Sequence, residues 1–218
     1  MSARAARRRG PALEWPSEPP SPFVRSGPRE RQRAATRERL FAAALAEFRR
    51  EGVGRANVAE IARAAGVSRP SFYAHFPTID HVLFELSWRL AQQIVRRLEG
   101  TTGLRATLDR LGGALIEAEQ AVGDPALFRE LLSIFVRRPA GPEFDSAEIP
   151  VLGELLRRFE AARSAGELRT GMAPEQAARL CLSGVFGHLL GVPATPAERR
   201  ADLRALFSLY AADPPNER

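Results

Sequence analysis

The sequence predicts an all-α chain, and three observations carry that expectation. Apolar residues recur at three- and four-residue spacing along most of its length, glycines and prolines fall between the periodic segments, and no stretch alternates strictly as a half-buried strand would. The chain has 218 residues, 44% hydrophobic and 27% charged, which is enough to bury a core and too apolar for a wholly disordered polypeptide. Four parts are expected: an arm at 1–28, a three-helix helix-turn-helix domain at 29–77, a larger helical domain at 78–212, and a disordered tail at 213–218.

The arm holds six prolines, the run Arg7-Arg8-Arg9 and no helical period. It reads as a disordered, partly extended segment that either tracks a polyanion backbone or touches nothing. From Arg29 to Arg50 a helix is expected, with Leu40, Ala43, Ala44, Ala46 and Phe48 near one face and Arg37, Glu38, Arg39 and Glu47 elsewhere. Gly52 ends it. Asn57 followed by Glu60 has the spacing of a capping box and opens a short helix with Val58, Ile61, Ala62 and Ala65 inward. Gly66 stops that helix, where a tight turn wants a residue free to take positive φ. Ser68 caps a third helix with Pro70 in its first turn, where a missing N–H costs nothing. Phe72 and Phe76, four apart, mark its inner face. A fourth helix is expected from Thr78 to Leu98. Two short helices crossing at a glycine turn behind a supporting helix are the pattern of a helix-turn-helix, whose second helix keeps a polar outer face for the major groove.

The charge agrees with that reading. All 32 basic residues are arginine. Residues 1–100 hold 18 Arg against 10 Asp and Glu, a net of +8, and residues 101–218 hold 14 against 16, a net of −2. A positive field confined to one half attracts polyanions, nucleic acid above all. Nucleotide composition explains the missing lysine but not the change of sign between the halves.

The run from Thr36 to Phe48, and that from Asn57 to Phe76 with its Ala65-Gly66-Val67-Ser68 and Phe72-Tyr73-Ala74-His75-Phe76, resemble the DNA-binding domain of the TetR-type one-component regulators over residues 31–90. The resemblance implies an all-helical homodimer on a palindromic double-stranded DNA operator, with an unidentified small-molecule effector bound in the second domain. By position, Arg69, Pro70 and Ser71 correspond to the base-facing start of the recognition helix and Tyr73 and His75 to its phosphate contacts. Asn57 and Ser68, the cap residues, complete the expected DNA-binding set. Ala56, Ala74 and Ile79 depart from the family's usual residues; Ile79 stands where a basic residue commonly grips phosphate.

Residues 104–122, 125–138, 151–165, 174–191 and 196–211 each read as helices. The segment from Leu180 to Leu190 is apolar nearly all round and must be covered on both sides. In the resembled family the last two helices form the dimer interface, so Leu182, Val185, Phe186, Leu189, Leu203 and Phe207 are its expected residues here; burial inside one chain is the alternative. Trp88, Phe128, Leu132, Phe135 and Phe159, with His188, either line a ligand pocket in the helical bundle or simply fill it.

Catalytic chemistry is not expected. His75, His81 and His188 are scattered, the single Cys181 rules out a disulfide framework or thiolate site, and no phosphate loop, nucleophile elbow or dinucleotide fingerprint is present. No metal or cofactor is therefore expected. The longest apolar run is too short for a bilayer and the basic N-terminus lacks an apolar stretch behind it, so a soluble cytoplasmic protein without membrane contact is the expectation. The sequence reads as a DNA-binding transcriptional regulator, a repressor released by a small apolar or amphipathic ligand. An effector-free dimeric DNA-binding or structural protein is the alternative.

Overall fold

The computed structural model describes residues 27–137, 150–169 and 171–212, with backbone alone for 134–137. The expected arm apart from its last two residues, most of the expected break between Pro139 and Pro150, and the expected tail at 213–218 lie outside the described residues. Within them run α1 (Pro28–Glu51), a 3-10 turn at Val53–Arg55, α2 (Val58–Ala64), α3 (Arg69–His75), α4 (Ile79–Leu98), α5 (Leu104–Val122), α6 (Pro125–Arg137), α7 (Pro150–Ser164), α8 (Pro174–Gly191) and α9 (Pro196–Ser208). The described residues contain no strand beyond an isolated bridge between Leu168 and Ala211. No described helix is long and apolar enough to cross a membrane.

Two compact units result. The first takes α1 to α3, α4 as far as Glu85, and Ala121–Leu131; the second takes Leu86–Gln120 and the described residues from Leu132 onward.

In the first unit, Leu40, Phe41, Ala44, Leu45 and Phe48 form the buried stripe of α1, and Phe41, Phe48, Phe72 and Phe76 are all but fully enclosed. Each such ring contributes about 1.5–3 kcal/mol by leaving water. The stripe is wider than the sequence suggests, because α1 packs on both α2 and the 3-10 turn. Ala46 is exposed, whereas Glu47, expected on the outer face, is buried. The cause is a hydrogen-bonding role. Glu47 Oε1 accepts the Asn57 backbone N–H at 3.2 Å, and Oε2 accepts Arg50 Nε at 3.2 Å. The expected capping box at α2 is therefore built differently. Asn57 Oδ1 accepts the Ala59 N–H at 2.8 Å, but Glu60 turns to Arg63, and Glu47 serves the Asn57 N–H instead.

In the second unit α7 packs on α8 and α8 on α9. Glycine permits the closest approaches: a Cβ on Gly184 would stand 3.0 Å from Leu206 Cδ1, and one on Gly112 would stand 3.3 Å from the Phe207 ring. Thr195 and Glu198 cap α9 reciprocally, the Thr195 N–H donating to Glu198 Oε2 at 2.8 Å.

A helix leaves its last four carbonyls unsatisfied. Here arginine side chains meet them repeatedly. Arg55 donates to Glu51 O at the end of α1 (3.1 Å), Arg39 to Ala65 O at α2 (3.2 Å), Arg37 to His75 O at α3, Arg158 to Leu98 O at α4 (2.8 Å), Arg49 to Val122 O at α5 (3.3 Å) and Arg169 to Ser208 O at α9 (3.2 Å). A cation there also faces the negative end of the helix dipole.

Hydrogen bonds from Arg50 and from the Asn57 N–H, opposed by burial, hold the Glu47 carboxyl below its ordinary value of 4.5. Its contribution to stability is therefore complete above that value and disappears as pH falls through the folded-state value. Glu47→Ala should lower stability at neutral pH by about 1–3 kcal/mol, the cost of an orphaned donor. Denaturant titrations of Glu47→Gln across the acid range should show a shallower loss with acidification than the wild type.

Candidate nucleic-acid interface

The turn between α2 and α3 is set by glycine. Gly66 takes φ +69°, and around it the Val67 N–H donates to Ala62 O at 3.0 Å and the Gly66 N–H to Arg63 O at 3.1 Å. These two bonds form a Schellman cap, which turns the chain sharply while satisfying the last carbonyls of α2. Ser68 then caps α3, its Oγ accepting the Ser71 N–H at 3.4 Å, with Pro70 in the first turn.

Seven residues of helix cannot sustain themselves in water, so α3 depends on what it rests against. Phe72 and Phe76 lie beneath it, fully buried, their ring centroids 5.8 Å apart. Arg37 of α1 closes its far end. One guanidinium nitrogen donates to the His75 carbonyl, Nε donates to Glu85 of α4 at 2.9 Å, and Cζ sits 4.1 Å from the centre of the Phe76 ring. The sequence pattern sets Arg37 off the apolar face of its helix and says no more. No local signal could have assigned its role, because its partner Glu85 lies 48 residues away.

With the phenylalanines turned inward, the outer face of α3 carries Arg69, Pro70, Tyr73 and Ala74, all exposed, and Ser71 and His75 half-buried. Arg69 and Tyr73, one turn apart, act as a pair: Nη2 of Arg69 lies 3.4 Å from the Tyr73 hydroxyl, and its guanidinium stands 5.8 Å from the ring centre. Of the remaining expected DNA-binding residues, Asn57 and Ser68 are exposed caps at the starts of α2 and α3.

The residues expected around an effector differ in their surroundings. Phe128 is buried in the first unit, while Trp88, Leu132, Phe159 and His188 belong to the second. Phe159 is completely buried, edge-on to Tyr210 at 5.8 Å, and reads as core. Trp88 is 43% exposed beside a groove of about 420 Å³, lined also by Gln92, Val95, Pro150, Leu156 and Arg157. His188 Nε2 stands 3.6 Å from Asp202, too far for a hydrogen bond, although an ion pair forms there if the ring is protonated. The Phe135 side chain lies outside the described residues. Burial pushes the Cys181 thiol up to about 12, which leaves it unreactive.

Most of the residues expected at a dimer interface are covered within the single chain. Leu182, Val185, Leu189, Leu203 and Phe207 are buried within the chain itself, because α7 and α9 cover α8 and Gly112 of α5 lets Leu203 and Phe207 approach. Phe186 is half-buried. The exposed large apolar residues of this region are Leu180 at 48%, Val192 just beyond α8, and Leu209 just beyond α9.

A glycine-turned helix pair whose second member buries two aromatics and exposes Arg69 and Tyr73, in the half of the chain with net charge +8, is the DNA-binding head of a transcriptional regulator. Residues 40–86 match the family described as bacterial regulatory proteins, tetR family. Among solved structures the chain is similar to SmeT of Stenotrophomonas maltophilia, the repressor of the multidrug efflux pump SmeDEF. The identity is 25% over 82% of this chain and 93% of that one, with a TM-score of 0.56. The SmeT–triclosan complex gives 26% identity, the same coverages and a TM-score of 0.56. In fold the chain is also similar to Thermus thermophilus FadR, a TetR family repressor in complex with lauroyl-CoA. There the identity is 23% over 84% of this chain and 99% of that one, with a TM-score of 0.61. The match over residues 40–86 and the likeness to these structures support a TetR-type regulator.

His75 is held below its ordinary value of 6.5, first by burial and then by the positive charges of Arg33 and Arg37. The ring is neutral at physiological pH, and its contribution to stability is present above 6.5 and lost as pH falls through the lower folded-state value. An NMR titration should place the His75 midpoint below 6.5, and Arg33→Gln should move it upward.

Proposed function

We propose that the protein is a dimeric repressor that binds a palindromic operator and is released from it by a small apolar or amphipathic ligand. The outer face of α3 carries the proposal, with Arg69 and Tyr73 presented opposite Phe72 and Phe76. In this reading Arg69 meets a base edge in the major groove, Pro70 and Ser71 set the close approach of the helix start, and Tyr73 and His75 hold phosphates. Asn57 and Ser68 steady the backbone contact at the two helix starts. Similarity to SmeT, a repressor whose complex with triclosan is solved, supports both repression and release by an apolar small molecule, and the FadR complex with lauroyl-CoA supports an amphipathic one. The groove beside Trp88 is the candidate entrance for such a ligand.

One recognition helix reads too few base pairs to find a genomic site, and a two-fold dimer reads two half-sites. The dimer surface in this reading is the exposed side of α8 and α9. Along α8 it runs through Leu180, Ser183, Gly187 and Gly191, and along α9 through Ala201, Ala205 and Leu209. Small residues let two such helices approach closely, and Leu180 and Leu209 supply apolar area that is open in the single chain.

Selection of DNA fragments by the purified protein, with and without cell extract, tests operator binding and release together. Sequence-independent binding, or an operator complex indifferent to every extract, would contradict the proposal. Arg69→Ala should cost about 1–3 kcal/mol at one position of each half-site and relax preference there. Tyr73→Phe should weaken binding evenly across sequences, with a small added loss because Arg69 also loses its hydroxyl partner.

Leu180 is exposed, so Leu180→Glu leaves the core of the chain intact. Sedimentation should find this variant monomeric and folded, with tight operator binding lost and weak, salt-sensitive binding kept.

A further inference from the structure

We propose that Arg37 is the positioning residue of the DNA-reading helix, tying the C-terminal end of α3 to the first turns of α4 so that the outer face of α3 is presented in one orientation. The proposal rests on the reading of α3 as the base-reading helix.

The far end of α3 has only the Phe76 N–H, bonded to Phe72 O, and no glycine cap that would satisfy the last carbonyls. No glycine follows it: Phe76 is extended, with φ −131° and ψ 98°, and after Phe76, Pro77 and Thr78 the chain enters α4 at Ile79. That connection fixes how far apart the two helices can be but leaves the roll of α3 about its own axis open. Roll decides which side chains reach a base, since successive residues point about 100° apart. Buried Phe72 and Phe76 limit that roll from beneath, and Arg37 fixes it at the C-terminal end through three contacts. Nη1 donates to the His75 carbonyl, an end that α3 itself cannot satisfy. Nε and Nη2 donate to Oε2 of Glu85, whose side chain is only 9% exposed and belongs to α4. The guanidinium face lies 4.1 Å from the centre of the buried Phe76 ring, so the plane of the fork is fixed as well.

Only arginine can do all three, because its donors diverge in one rigid plane that also stacks on an aromatic ring. Lysine offers a single ammonium on a flexible stem. Arg37 keeps its place on α1 while touching α3 and α4, so a displacement of the first turns of α4 is felt at the end of α3 through one side chain. Arg37 acts through α3 and needs no contact with DNA of its own.

The test uses the full-length protein, the operator duplex recovered by selection and a random duplex of equal length. Arg37→Gln should lower operator affinity about tenfold or more, the ordinary consequence of losing charge-assisted hydrogen bonds, and change affinity for the random duplex by less than about twofold. Arg37→Lys should recover only part of the loss. Glu85→Gln should weaken operator binding in the wild-type background and add nothing in the Arg37→Gln background. In the DNA-free protein, the Phe76 amide, which donates to Phe72 O at 2.8 Å, should exchange faster in Arg37→Gln, and the His75 ring should titrate higher. Should Arg37→Gln fail to fold, Arg37→Lys and Glu85→Gln carry the same comparisons. Unchanged operator affinity, equal losses on both duplexes, or additive effects of the two substitutions would overturn the proposal. Failure of the base-reading role is seen separately: Arg69→Ala would then leave operator preference intact, while the Phe76 exchange rate still reports on positioning.

Discussion

Backbone carbonyls at helix C-termini govern much of this fold. An all-helical chain multiplies such ends, and each one left bare in a packed interior costs about as much as a lost hydrogen bond. This chain meets many of them with arginine, the one basic residue it uses. Arg37, Arg39, Arg49, Arg55, Arg158 and Arg169 each reach the end of a helix, and Arg37, Arg39, Arg49 and Arg158 do so from a different element of the chain. A guanidinium has five donors and can satisfy a carbonyl and a carboxylate together, as Arg37 does with His75 and Glu85 and Arg158 does with Leu98 and Glu154. The caps thereby also act as cross-braces.

The shortest helices depend on this most. α3 is held by Ser68 at its start, two buried phenylalanines beneath, and Arg37 at its end. Its companion α2 is entered through Glu47 and left through Gly66 and Arg39. Each brace runs back to α1, which explains why α1 has 24 residues and a buried carboxylate while the two helices it supports have seven each. Capping does not neutralise a guanidinium. Arg39, whose cap is a carbonyl, also supplies part of the positive field that draws DNA toward the head, while the charge of Arg37 is offset by Glu85.

Much of this architecture is legible in the sequence because its punctuation is local. Gly52, Gly66, Pro70, Pro125, Pro174 and Pro196 sit at or beside helix boundaries, and period and capping chemistry locate the rest. The inward pair Phe72 and Phe76 also follows from spacing alone. The braces are not legible, since a polar residue on an amphipathic helix looks the same whether it faces water or a partner 48 residues away, as Arg37 does. Glu47 was hidden for the same reason. Along α8, an apolar circumference announces that the helix is covered but not by what. Leu182, Val185 and Leu189 are covered within the chain, and the open side is marked by Leu180, whose hydropathy is no different. Nor can spacing separate an aromatic that fills a core, as Phe159 does against Tyr210, from one beside open space, as Trp88 is.

The central claim is that α3, braced in this way, lays its outer face against base edges in the major groove. Methylation interference on the selected operator tests it most directly, because methyl groups at guanine N7 project into the major groove and those at adenine N3 into the minor groove. The account predicts that N7 methylation at symmetric positions of the two half-sites blocks binding, and that Arg69→Ala removes the interference at one of those positions in each half. Interference confined to adenine N3, or an N7 pattern that Arg69→Ala leaves unchanged, would contradict it.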